Sequence, residues 1–74
     1  MKDDSVLDKA IFSKLELRQK KVALIIGKIV VESKFSYSEN DVGRRILQLV
    51  QEGRIKGFGD ITDWRRSEIS LIND

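Results

Sequence analysis

The chain is 74 residues long and carries a net charge of +2, from 14 basic and 12 acidic residues. That length suits one domain, expected to span residues 1–74. It contains no histidine and no cysteine. Within one chain this excludes a zinc site built from nitrogen and sulfur ligands, a disulfide, a thiol nucleophile and an imidazole base.

Hydrophobic residues make up 41% of the chain and charged ones 35%, a globular rather than a disordered balance. Folding must therefore rest on packing alone. A chain this short also struggles to enclose a ligand pocket of ~300 Å³ or more. The expectation is a non-catalytic protein, not an enzyme, with no cofactor, no metal and no small-molecule substrate. The lack of cysteine fits a reducing, cytoplasmic location. The opening Met1-Lys2-Asp3-Asp4-Ser5 is polar, unlike a secretory signal, and residues 1–4 are expected to be disordered. The longest apolar stretch, Val22 to Val31, is interrupted by Gly27 and Lys28. It falls short of the ~20 residues a membrane span requires, so no membrane partner is expected.

Ser5, with Asp8 three residues on, reads as the N-cap and capping-box partner of a first short helix. Val6, Leu7, Ala10 and Ile11 then recur at helical spacing. Ser13 and Glu16 repeat the device, predicting a second helix from about Lys14 to Ser33. Its stripe is Leu15, Val22, Ile25, Ile26, Ile29 and Val30, widened by Leu24 and Val31. Gly27 inside it weakens the helix by ~1 kcal/mol relative to Ala and reads as a place where another helix comes close. The basic run Arg18-Gln19-Lys20-Lys21 falls early in this helix. It is either a solvated face or a set of phosphate contacts.

Lys34 to Tyr37 reads as a connection. Ser38 caps a third helix, with Asp41 in the third position and Glu39 and Asp41 favoured by the helix dipole. Val42, Ile46, Leu49 and Val50 form its buried stripe, and Gly53 ends it in a left-handed conformation. After Gly53 the apolar period changes from helical to alternating. Arg54 to Phe58 and Trp64 to Ile72 read as two strands joined by the polar loop Gly59-Asp60-Ile61-Thr62-Asp63. The expected fold is α+β, mainly α: three helices with a helix-turn-helix, followed by a C-terminal β-hairpin in the position of a wing.

The run from Ser38 to Ile55 resembles winged-helix recognition helices. With Gly59-Asp60-Ile61-Thr62-Asp63-Trp64-Arg65-Arg66-Ser67-Glu68-Ile69 and the earlier Ile26-Gly27, it is similar to a bacterial family of uncharacterised domains. The likeness covers about Ser5 to Leu71. It implies a helical domain with a C-terminal hairpin and winged-helix-like architecture, and it brings no catalytic residues. The acidic Asp60 and Asp63 at the wing tip depart from the basic or small polar tip of DNA-binding winged helices.

Two surfaces carry the functional reading. The exposed face of the third helix should present Asp41, Arg44, Arg45, Gln48 and Gln51 or Glu52. Arginine pairs with guanine and glutamine with adenine in a major groove. The alternative is a solvated face with Asp41 paired to Arg44 and Arg45. On the hairpin, pairing of Phe58 with Trp64 would place Lys56 beside Arg66, giving two aromatics and two cations on one side. That side would grip phosphates and stack on a base, or form a protein hot spot. Alternatively, Phe58 and Trp64 close the core with Arg66 stacked over Trp64.

Asp60 and Asp63 are too few for a calcium loop, and Gly57-Phe58-Gly59 lies in a hairpin, not in the setting of a phosphate loop. Residues 1–38 balance to +3 and residues 39–74 to −1. The acidic balance of the second half places a protein-interaction or regulatory module first, with Phe58, Trp64 and Arg66 as its surface. The partner would be another protein or a second copy of the chain. Sequence-specific double-stranded DNA binding comes second. It would use helix Glu39–Glu52 through Arg44, Arg45 and Gln48, with Lys56, Arg65, Arg66, Lys20 and Lys21 on phosphates.

Overall fold

In the computed structural model, residues 4–72 are described. The element order is α1 (Asp4–Lys14), β1 (Lys20–Lys21), α2 (Val22–Glu32), α3 (Glu39–Gln51), β2 (Lys56–Phe58) and β3 (Glu68–Ser70). The three strands form one antiparallel sheet in the order β1-β3-β2. The three helices pack against one another beside this sheet. Leu7 and Ile11 come from α1, and Val22, Ile25, Ile26 and Ile29 from α2. They meet Val42, Ile46 and Leu49 of α3, with Ile55, Ile61 and Ile69 closing the sheet side. The expected α+β, mainly α, architecture is the one observed.

The first half departs from the sequence reading in its boundaries. α1 starts at Asp4, so Ser5 lies inside its first turn and Asp4 is helical backbone. The expected disorder of residues 1–3 lies outside the described residues. The long helix from Lys14 to Ser33 is two elements with a break between them. Ser13 is no N-cap: its hydroxyl donates to the Ala10 carbonyl at 2.7 Å, and Glu16 pairs with Arg18 and Lys20. Leu15 to Gln19 cross to the sheet, where Lys20 pairs with Ile69 and Lys21 with Glu68. The Leu71 N–H donates to the Glu16 carbonyl at 2.8 Å, extending this attachment. These residues have good helix propensity, but β3 would otherwise leave one edge of its backbone unpaired. Pairing with β1 overrides a local preference of a few tenths of a kcal/mol per residue, ~0.7 at most.

The start of α2 is held in the same way. Lys21 is its N-cap and provides no side-chain hydrogen bond. Instead, the Val22 N–H donates to the Ser67 carbonyl and the Ala23 N–H to the Trp64 carbonyl, both at 3.1 Å. Two of the orphan donors of the first turn are thus satisfied by the segment leading into β3. Leu24 and Val31, placed in the buried stripe by spacing, are exposed instead, as is Val6. Gly27 is exposed, and a Cβ there would meet nothing within 4 Å, so among the described residues no other helix packs against it.

The hairpin also differs in register. Phe58 pairs with Glu68, Gly57 with Ile69 and Lys56 with Ser70. Trp64 and Arg66 are therefore in a long loop, 59–67, and neither pairs with β2. The reason lies in the alternation itself. Ser67 and Ile69 are both fully buried and set the inward face of the returning chain, whereas residues 64–66 turn too sharply to extend the ladder.

Candidate interaction surface

α3 is built by local rules at both ends. The Ser38 hydroxyl accepts from the Asp41 N–H and the Asp41 carboxylate accepts from the Ser38 N–H, each at 3.1 Å, a complete capping box. At the other end Gly53 has φ +75°, the Arg54 N–H donates to the Leu49 carbonyl, and the Gly53 N–H donates to the Val50 carbonyl. This is a Schellman ending, which needs a left-handed residue where glycine has no steric cost. The helix is thereby fixed in length, and its rotation is set by Val42, Ile46 and Leu49, all fully buried.

That rotation separates the two arginines of the middle turn. Arg45 turns toward α1. Its Nε donates to Asp8 Oδ1 at 2.6 Å and its Nη2 to Asp8 Oδ2 at 2.8 Å, a bidentate fork with both side chains only 14% exposed. Arg54 adds a longer contact to Asp8 at 3.5 Å and lies over the Phe12 ring at 5.6 Å. The hydrogen bonds from Arg45, with the charges of both arginines, hold the Asp8 carboxyl below its ordinary value of 3.8 against the opposing effect of burial. Arg45 is therefore part of the seam between α1 and α3 and not a group facing outward. Gln48 is exposed, but its Oε1 accepts from Arg45 Nη1 at 3.0 Å.

Arg44, one residue earlier and so about 100° away around the helix, points away from α1 and is exposed. It borders a cleft of about 270 Å³ between α3 and the loop after β2, with Asn40, Leu47, Ile61, Thr62 and Trp64. Gly43 makes this cleft. A Cβ there would stand 2.6 Å from Cε2 and 2.9 Å from Nε1 of Trp64, so the indole lies directly against the helix backbone. The close approach expected of Gly27 occurs at Gly43, and its partner is an aromatic ring. Ile61 packs over Gly57 and is buried, which folds the loop back toward α3. Asp60 shapes the loop by accepting from the Thr62 N–H at 3.0 Å and from its hydroxyl at 2.6 Å. These bonds lower the Asp60 pKa and occupy its carboxylate locally.

The remaining candidates are spread around the sheet. Arg65 and Arg66 are exposed in the loop, and Arg66 Nε lies 3.7 Å from Asp63. Arg66 makes no lid over Trp64. The cation–π contact of the hairpin is instead Lys56 over Phe58, at 5.3 Å, on the edge strand β2. Phe58 is half-buried and does not join Trp64 in one exposed face. Lys20 and Lys21 sit on β1, the opposite edge of the sheet from Lys56. Of the candidates, Trp64 and Arg44 border one cleft, and Arg45, Gln48, Lys20, Lys21, Lys56, Phe58, Arg65 and Arg66 are not in its lining. Sequence reasoning missed Asn40, Gly43 and Leu47. A glycine flanked by apolar helix positions at 42 and 46 was the available signal.

Three helices, with a turn between the second and third, and a three-stranded antiparallel sheet ordered β1-β3-β2 make a small α+β, mainly α, fold. No protein-family model, no curated protein and no solved structure matches the chain. Among the described residues no helix is long and apolar enough to cross a membrane, and no group of three or more carboxylates is placed to hold a metal ion.

Proposed function

We propose that this is a non-catalytic protein-interaction module, with the cleft between α3 and the loop 59–67 as its binding face. The observation that carries this reading is the inward turn of Arg45 onto Asp8. It leaves Arg44 as the one cation on the outward side of α3, with Glu39, Asp41 and Glu52 on the same helix or its cap. A recognition helix enters a major groove through its N-terminal residues, and here the first turn is acidic. Phosphate contacts supply most of the affinity for duplex DNA, so this face is poorly suited to it. A half-buried tryptophan beside an exposed arginine, with Leu47 and Ile61 in the wall, has the composition of a protein hot spot.

A second reading, duplex DNA, is favoured by Asn40, Arg44, Gln48 and Gln51, all exposed and of the types that read adenine and guanine edges. One pair of measurements separates the two. Affinity capture is expected to recover a protein with the wild-type chain and to lose it with Arg44→Glu. Duplex DNA titrated at low and moderate salt is expected to show no steep salt-dependent binding. Salt-steep duplex binding that Arg44→Glu abolishes would replace the first reading by the second. Equal recovery of every protein by both chains would remove the cleft from consideration.

A further inference from the structure

α2 is apolar on two opposite faces. Its inward face carries Val22, Ile25, Ile26 and Ile29, all buried. On the other side lie Leu24, Gly27 and Val31, with Phe35 in the turn that follows. Leu24 is 62% exposed, Val31 65% and Phe35 77%. A surface helix normally carries one apolar stripe, with polar residues on the side opposite it. The turn adds to the anomaly. Lys34 and Phe35 have φ of 55° and 63°, a left-handed conformation that non-glycine residues adopt only at a cost, and the exposed phenylalanine is held there.

We propose that this outer face of α2 is where two copies of the chain meet, helix against helix, antiparallel about a two-fold axis. Area supports a second copy. Leu24, Val31 and Phe35 together expose on the order of 400 Å² per chain, within the range of about 300–600 Å² for the largest apolar patch on a monomer, a patch that is often functional. Two such patches with their surroundings reach about 1,000 Å², the lower end of a specific interface. Symmetry supports it as well, because a two-fold contact uses the same patch on both copies.

Charge chooses the arrangement. Lys28 and Glu32 are the two charged residues of α2, and both lie along one edge of the apolar stripe. In an antiparallel pair that edge faces itself. Setting Lys28 opposite Glu32 of the second copy makes two symmetric ion pairs. It also places Leu24 against the second copy's Phe35 and Val31 against the methylene stem of its Lys28. The alternative register, Leu24 against Val31, would bring the two Lys28 ammonium groups together. Gly27, on the other edge with nothing within 4 Å of a Cβ, lets the backbones approach. Glu32 is already paired with Lys14 at 2.6 Å but remains 57% exposed, so its carboxylate has room for a second cation.

Analytical ultracentrifugation of the full chain, from micromolar to about 1 mM, tests this. The wild type is expected to dimerise with concentration. Val31→Glu and Leu24→Lys are each expected to be monomeric throughout with unchanged far-ultraviolet circular dichroism, since both side chains lie outside the core. Lys28→Glu and Glu32→Lys are each expected to weaken the dimer about fivefold, and the double exchange to restore it. A wild type that stays monomeric overturns the proposal and leaves the face to a different protein. A dimer that survives both Val31→Glu and Leu24→Lys overturns it too, and a charge exchange that fails to rescue overturns the antiparallel pairing.

Discussion

The two flanks of α3 are made from the same kinds of residue and end up with opposite characters. On the α1 side, Arg45 is forked onto Asp8, Arg54 lies over Phe12, and the seam is closed. On the sheet side, Gly43 admits the Trp64 ring and leaves a cleft bordered by Arg44. Adjacent arginines thus differ by one step of about 100° around the helix, set by its 3.6-residue turn. The difference teaches that an arginine's role here follows from the rotation of the helix on its core, not from its place in a basic pair.

Variants that attack each flank in turn measure this contrast. Arg45→Ala should have the largest effect, about 2 kcal/mol of lost stability in urea unfolding, because it leaves the Asp8 carboxylate nearly buried with only the longer Arg54 contact. A loss no greater than that of an exposed residue would mean that the fork contributes nothing.

Gly43→Ala should cost about 1 kcal/mol, since overpacking against the indole outweighs the gain in helix propensity. Trp64 is the single tryptophan, so its fluorescence reports the outcome directly. Emission should shift to the red as the ring is pushed into water. Unchanged emission with increased stability would show that the indole does not rest on Gly43.

Acid should weaken the closed flank. Asp8 has a folded-state pKa below its ordinary 3.8, because Arg45 favours the ionised form. Its contribution to stability is therefore present above about pH 4 and is lost as pH falls through the lowered folded value. Asp8→Asn should flatten the acid limb of a pH–stability curve relative to wild type. Glu16 and Asp60 are lowered in the same direction by Arg18 and Thr62, and their loss adds to the slope that remains in the variant.

Arg44→Ala should have the smallest effect on folding, within about 0.5 kcal/mol, because its side chain is exposed. Thermal melts of Arg44→Ala and Arg45→Ala side by side give the contrast in one experiment. Equal melting temperatures would erase it.

α3 could be read almost residue by residue, from the Ser38 cap to the left-handed Gly53. The signals involved are hydrogen bonds between residues at most five apart, and such bonds form wherever the local chain is helical. The presence of a hairpin after Gly53 could be read as well. Its register could not, because a shift moves every side chain to a new partner while leaving the local pattern equally plausible. The candidate surface was legible only in fragments. Arg44 and Trp64 stood out by residue type, but Asp8 and Arg45 lie 37 residues apart in sequence, and nothing near either one announces the pair.

Periodicity and capping chemistry, which act within one turn or one strand, suffice to specify three helices, a change of rhythm near Gly53 and an isoleucine-rich interior. Long-range backbone pairing settled the rest. The Ser67 and Trp64 carbonyls place the start of α2, β3 draws Lys20 and Lys21 out of a helix, and packing on Val42, Ile46 and Leu49 turns one arginine inward and its neighbour outward. The physical reason is that an unpaired backbone edge or a buried charge is satisfied by whatever the fold brings near, and that neighbour is chosen by the whole chain.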